Sequence, residues 1–145
     1  MINIICVGII KEKYLNDLIS DYKTRISKYH KIEIIELKDT GIDNESNEIL
    51  SHLNDKDYNI CMDINGKEYT SVELSNLINN TFINGYGTIT FIIGGSDGIR
   101  DSVKNKCNMK LSFSHLTFPH GLFRGILLEQ IYRSFKILNN ETYHK

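Results

Sequence analysis

At 145 residues, with 41% hydrophobic and 10% aromatic side chains, the chain has material for one α/β domain with a single core and not for two ordinary ones. Cys6, Cys61 and Cys107 lie far apart and form no C-x-x-C pair, which argues against a disulfide framework or a zinc site and leaves reduced, mostly buried thiols. Net charge is only −1, yet residues 100–145 carry eight Lys/Arg against three Asp/Glu while residues 1–99 carry nine against fifteen, so the C-terminal third is compatible with RNA binding, although solvated helices carry such charge too.

The first run, INIICV from Ile2 to Val7, reads as a β-strand, and Tyr14, Leu15, Leu18, Ile19, Tyr22, Ile26 and Tyr29 then recur at helical spacing. The apolar start from Ile2 to Ile10 is nine residues long and lacks the basic flank of a secretory signal. No run approaches the ~18 apolar residues of a membrane span, so a soluble, cytoplasmic protein without a membrane partner is expected. Ile32 to Leu37 reads as a second strand, followed by a polar stretch through Asn47 and a short helix around Glu48 to Leu53. Tyr58 to Ile64 is a third strand closed by an Asn65-Gly66 turn signal. Thr70 and Glu73 form a capping box opening a helix with Val72, Leu74, Leu77 and Ile78 as apolar positions. Thr88 to Ile93 is a continuous apolar strand running into GGSDG, Gly94 to Gly98, and a charged helix from about Ile99 to Lys106. Lys110 to Phe113 reads as a last strand, and Pro119 suits the first turn of a long helix, His120 to Leu138. Continuous apolar strands alternating with helices predict a buried parallel sheet.

Glycines directly after a parallel strand let a ligand approach the backbone, which makes FIIGGSDG a cofactor-loop candidate; a tight turn with no ligand explains it equally well. It is neither a dinucleotide fingerprint nor a nucleoside triphosphate loop, because the acid ~20 residues further on and the G-K-[ST] ending are both missing. Ser112, Ser114 and Thr117 interleave with Phe113, Leu116 and Phe118, a lining that suits an amphipathic small molecule or a turn before a helix. His115 and His120 are poorly spaced for a metal and read as solvated or capping; no metal is expected. Leu127, Leu128, Ile131, Phe135 and Leu138 form a core or interface stripe. Glu129 and Arg133 are an ordinary i,i+4 pair worth ~0.3 kcal/mol, whereas Arg124 has no partner in its own helix. The ending Tyr143-His144-Lys145 offers a phenol, an imidazole and an ammonium, in what is usually a frayed terminus.

In combination, VGIIKEKY near the start, FIIGGSDG, and LSFSHLTFPHGLFRGILLEQIYRSFKI with the terminal YHK closely resemble the ribosomal RNA large-subunit methyltransferase H family of SPOUT methyltransferases, over almost the whole chain. The resemblance implies one SPOUT domain over residues 1–145, with a C-terminal trefoil knot and cofactor site formed mainly by about residues 88–145, a topology that periodicity could not give. It also implies a homodimer that uses S-adenosyl-L-methionine to methylate N3 of a pseudouridine in large-subunit ribosomal RNA on assembled ribosomes. Carried over by position, the cofactor pocket maps to Met62, Gly94 and the loop Phe113, Ser114, His115, Leu116, Thr117 and Phe118, with the sulfonium methyl facing the final helix and tail of the partner.

Within that frame, His144 is the tail group suited to assist deprotonation of N3 or to orient the base, since imidazoles as a class ordinarily titrate at ~6.5, with Tyr143 and Arg124 as further catalytic candidates. Arg124, Arg133 and Lys145 are candidate contacts to phosphates or the uracil edge. A ribosome-binding factor that keeps the fold without catalysis is the rival reading, and a nucleotide-binding regulatory domain a third. Two departures stand out. The segment Lys38 to Glu48 is shorter by a dozen or so residues than in typical relatives, which bears on any RNA contact made there. Gly121 and Gly125 replace bulkier residues at the start of the final helix, at up to ~1 kcal/mol each relative to alanine, and would either loosen that turn or admit close packing at a dimer interface.

Overall fold

The computed structural model describes residues 1–145. Five strands, β1 (Ile2–Val7), β2 (Ile32–Leu37), β3 (Tyr58–Glu68), β4 (Ile89–Ile93) and β5 (Met109–Ser112), form one sheet of order β2-β1-β4-β3-β5. Every pairing in it is parallel, as the apolar strands require. The helices are α1 (Lys13–Ser27), α2 (Ile42–His52), α3 (Ser71–Ile83), α4 (Asp101–Lys104) and α5 (His120–Leu138).

Strand alternation divides the core. Ile2, Ile4 and Cys6 of β1, with Ile89, Phe91 and Ile93 of β4, face α1, α3 and α5 in a cluster of 18 buried residues. Ile5, Val7 and Ile92 face the other way, toward Ile49 of α2 and Val103 of α4, in a cluster of six. The final helix therefore belongs to the thicker layer, where Leu127, Leu128, Ile131 and Phe135 are buried. The thiols are free, with Cys6 and Cys61 buried and Cys107 partly so, and burial pushes Cys6 up to about 12.

Several boundaries move for identifiable reasons. Helix α2 begins at Ile42, six residues before the predicted start, because the Glu45 carboxylate accepts hydrogen bonds from the Thr40 and Gly41 N–H groups at 3.0 and 2.9 Å, and Gly41 takes φ +97° to turn the chain. Asn65-Gly66 does not close β3. The register against β5 shifts between Met62 and Lys67, so these residues form a bulge inside a strand that continues to Glu68. A Cβ at Gly66 would lie 2.7 Å from the Lys110 carbonyl carbon, which is why the bulge carries a glycine. Helix α4 shrinks to four residues. The capping box of α3 forms both bonds, Glu73 N–H to Thr70 Oγ1 at 3.1 Å and Thr70 N–H to Glu73 Oε1 at 3.0 Å. Helix α5 spans the predicted residues, with Pro119 just outside it and its carbonyl accepting the Phe123 N–H at 2.9 Å.

Gly121 and Gly125 serve packing within the chain. A Cβ at Gly121 would lie 2.8 Å from Leu15 Cδ1, and one at Gly125 2.7 Å from Leu18 Cδ2, so the two glycines let α1 and α5 approach closely and do not loosen the turn. No helix is long and apolar enough to cross a membrane.

Candidate functional site

The carboxyl ends of β3, β4 and β5 enclose a cavity of about 290 Å³, in the crevice where open α/β sheets hold ligands. Met62, Asp63 and Ile64 of the β3 end form one side; Ile93 and the loop Gly94, Gly95, Ser96 and Gly98 form another. The segment after β5 and the start of α5 close it with Phe113, Ser114, Leu116, Thr117, Phe118, His120 and Phe123.

Each loop is locally determined. In the glycine loop, Gly98 N–H donates to the Gly95 carbonyl at 3.0 Å with Gly98 at φ +84°. A methyl group at Gly94 would collide with Ile99 and lie 2.9 Å from the Gly98 carbonyl oxygen; one at Gly95 would lie 2.9 Å from Glu45 Oε1 and 3.0 Å from Val7 Cγ1. Both glycines are thus fixed by close approach. After β5, Ser112 Oγ lies 3.1 Å from the carbonyl oxygens of both Ile64 and Ser114, and Ser114 Oγ accepts the Leu116 N–H at 3.0 Å. Phe123 packs against Phe113 and Phe118, with ring centroids 5.5 and 6.1 Å apart. Apolar rings, hydroxyls and bare glycine backbone around one space suit a ligand with a heteroaromatic part and a polar part.

The charges at the wall are committed. Lys104 pairs with Asp63 at 3.0 Å. Burial acts to raise Asp63, but the Asn65 N–H and Lys104 outweigh it and hold the carboxyl below the ordinary aspartate range. No three His, Cys, Asp or Glu side chains converge as a metal site.

Met62, Gly94, Phe113, Ser114, Leu116, Thr117 and Phe118, which the family resemblance assigns to the cofactor, all line the cavity. His115 does not: its ring turns outward to Glu68, Nδ1 to Oε1 2.9 Å, while the rest of its loop faces in. Asp63, Ile64, Lys104, His120 and Phe123 were not expected there; a position just past a parallel strand, or in the first turn of α5, was the available signal.

Arg124 is corrected most. Expected at RNA or at the reacting groups, it is 2% exposed, with Nη1 2.7 Å from Glu36 Oε2 of β2 and Nη2 donating to the Gly8 carbonyl at 2.9 Å. It ties α5 to the ends of β1 and β2 and presents no charge to a ligand. Its partner is invisible to helical spacing because it lies 88 residues away.

The tail does not fray. Asn140, at φ +53°, reverses the chain after α5, and Glu141 is held by Lys136 Nζ at 2.9 Å and Tyr29 Oη at 2.8 Å. Tyr143 packs its ring against Tyr132, centroids 5.0 Å apart, lies under the Arg133 guanidinium, and donates its hydroxyl to Glu129 Oε1 at 3.0 Å. Burial first, then Tyr22 and the Glu129 carboxylate, hold this phenol well above its usual range. Tyr143 anchors the tail to α5. Arg133 forms the i,i+4 pair read from sequence, 2.5 Å from Glu129, and its Nη1 lies 3.1 Å from His144 Nδ1, so the guanidinium expected at RNA is committed inside the molecule. His144 and Lys145 are exposed. None of these tail residues lines the cavity, and Arg133 lies ten residues beyond Phe123, ~15 Å along the helix axis.

The family described as "Predicted SPOUT methyltransferase" matches residues 1–144. Among curated proteins, the ribosomal RNA large subunit methyltransferase H of Clostridium botulinum strain Langeland is 49% identical over 157 aligned positions, covering 99% of each chain. The protein of the same name from Fusobacterium nucleatum is 48% identical over 153, again covering 99% of each. Since this chain has 145 residues, at least twelve positions of the first alignment have no counterpart here. Among solved structures, a methylase family protein from Haemophilus influenzae Rd KW20 superposes with a TM-score of 0.60 at 10% identity, over 99% of this chain and 70% of that one. The SpoU methyltransferase AviRb from Streptomyces viridochromogenes gives 0.52 at 8%, over 98% and 62%; these two likenesses concern the fold.

Proposed function

Because the chain belongs to the SPOUT methyltransferase family, within its ribosomal RNA large subunit methyltransferase H branch, we propose that it transfers a methyl group from S-adenosyl-L-methionine to N3 of a pseudouridine in 23S ribosomal RNA on assembled ribosomes. The observation that carries this reading is the cavity at the β3, β4 and β5 ends, which gathers seven of the eight residues assigned to the cofactor from sequence. AviRb is described in complex with AdoMet, in the same fold class.

The residues fit the cofactor by the chemistry of the donor set. Leu111, Phe113 and Phe118 would hold the heteroaromatic part between apolar walls, and the backbone of Gly94 and Gly95 with the hydroxyls of Ser114 and Thr117 would meet its polar part. When bound, the cofactor supplies an electrophilic methyl on a sulfonium. The chain's task is then to hold the target N3 in line at ~3–3.5 Å and to favour its deprotonated form. That task falls to His144 at the exposed end of the tail, with Lys145 beside it as a phosphate contact.

That no tail residue lines the cavity of its own chain supports a composite site, in which a homodimer brings the tail of one subunit to the cavity of the other. The C-terminal segment from about residue 88 would form the trefoil knot of the family, in one domain over residues 1–145. A cytoplasmic location follows from ribosomes as substrate.

Calorimetry with S-adenosyl-L-methionine and labelled methyl transfer to matched ribosomes with and without the pseudouridine test the reading. Saturable binding and label dependent on pseudouridine are expected. Binding without transfer favours a non-catalytic ribosome-binding factor, and equal labelling of both ribosomes defeats the stated specificity. Gly94→Leu should prevent cofactor binding; normal binding by that variant would refute the pocket. Mixing a Gly94→Leu chain with one lacking Tyr143 to Lys145 should restore part of the activity, and no recovery in verified heterodimers would refute the shared site.

A further inference from the structure

The Tyr143 end of the tail meets one shared carboxylate. Glu129 Oε1 accepts Arg133 Nε at 3.0 Å, Arg133 Nη2 at 2.5 Å and the Tyr143 hydroxyl at 3.0 Å, while its Oε2 accepts Gln130 Nε2 at 2.9 Å. Gln130 Oε1 in turn accepts the Ser71 hydroxyl at 2.8 Å, so the hub is fixed to α3 as well as to α5. The remaining terminal nitrogen of the Arg133 guanidinium, Nη1, lies 3.1 Å from His144 Nδ1.

That contact has one chemical sense. A guanidinium carries five N–H donors and no acceptor, and stays protonated in proteins. Nδ1 must therefore accept, which requires a free lone pair there and places the single proton of the neutral ring on Nε2. An imidazole in this state, on an exposed residue, offers an N–H at Nε2 and has no free lone pair there to take a proton from a substrate. Between the two roles open to His144, deprotonating the target base or orienting it, the surroundings select the second.

We propose that Glu129 is a positioning residue that, through Arg133, locks His144 in the Nε2–H tautomer, and that His144 acts as a hydrogen-bond donor to a carbonyl oxygen flanking the target ring nitrogen. The inference rests on the methyl-transfer reading above for its substrate, and on geometry alone for the tautomer. Loss of the N3 proton places negative charge on the two carbonyl oxygens of a uracil-type ring as well as on the nitrogen. A donor aimed at one of them stabilises that charge where it develops and fixes the ring in register. The N3 proton leaves to solvent hydroxide or buffer base, so His144 gains and loses no proton in the cycle.

Two measurements separate the parts. Long-range ¹H–¹⁵N correlation spectra of uniformly labelled wild-type protein near neutral pH, with the His144 resonances assigned by their absence in His144→Gln, report the tautomer without reference to activity. The Nε2–H form is expected, and Glu129→Gln should convert it to a mixture. An Nδ1–H ring, an imidazolium, or an unchanged spectrum in Glu129→Gln would overturn the proposal. In methyl transfer to ribosomes, the Gln side chain at position 144 keeps an N–H where Nε2 stood but cannot serve as a base. His144→Gln should stay within about tenfold of wild-type kcat while His144→Ala loses ~10–100-fold, the range for a hydrogen bond to a charged group. Equal loss in both variants would overturn the donor role in favour of a base. If the wild-type protein transferred no methyl group, the functional reading would fail while the spectrum still decided the tautomer.

Discussion

The two ends of α5 are built on opposite principles. At its start, Gly121 and Gly125 bring α1 into contact, Arg124 is buried against Glu36 and the Gly8 carbonyl, and Phe123 walls the cavity. At its far end, Glu129, Arg133 and Tyr143 form a polar, partly exposed cluster that folds the tail back along the helix. The first end is constructional, and its charged group is used for assembly. The second keeps an imidazole at the surface in a defined orientation. A basic residue near a site is therefore not by itself a ligand contact, since Arg124 and Arg133 both have carboxylate partners while His144 and Lys145 are left exposed.

The comparison can be broken most directly by removing Tyr143 to Lys145. Methyl transfer should fall by more than ~100-fold while calorimetric cofactor affinity stays within about twofold of wild type, because misplacement of one reacting group costs that much in rate without touching the cavity. Unchanged transfer would show that the tail end is not chemical. Arg124→Met should lower stability by ~2–4 kcal/mol in urea unfolding, with little change in m, since it leaves the Gly8 carbonyl without the Arg124 donor and Glu36 with only the Ile10 N–H. A stable Arg124→Met protein with impaired ribosome binding would favour an RNA role for Arg124. Gly125→Val should cost ~1–3 kcal/mol by forcing Leu18 aside, and Leu18→Ala in the same chain should recover part of that loss. Simple additivity of the two costs would mean that the contact is not what keeps glycine there.

The smallest effect concerns Asp63 at the cavity wall. Its carboxyl is held below the usual ~3.9, so its contribution is present above that value and is lost as pH falls through about 4 and below. Asp63→Asn should cost ~1 kcal/mol at neutral pH, and its deficit relative to wild type should shrink progressively in acid unfolding curves as pH falls below the ordinary aspartate range. A deficit that persists unchanged in acid would assign the loss to packing.

Much of this was legible in the chain. The strand runs, the capping box of Thr70 and Glu73, the bounds of α5 and the glycine loop are local properties of propensity and periodicity, and they appear where expected. What could not be read were contacts across long separations. Glu36 as the partner of Arg124, the outward turn of His115 to Glu68, and the bulge at Gly66 against Lys110 each depend on which strands become neighbours, and no local pattern encodes that.

The sequence by itself determined the element types, their parallel arrangement and the residue kinds at each strand end, because these follow from side-chain periodicity and backbone preference within a few residues. Tertiary structure alone decided which charges are free. A cation's role depends on whether a carboxylate or carbonyl from a distant strand or a returning tail reaches it first, and only the folded chain fixes that Arg124 is buried, Arg133 is clamped and His144 is exposed.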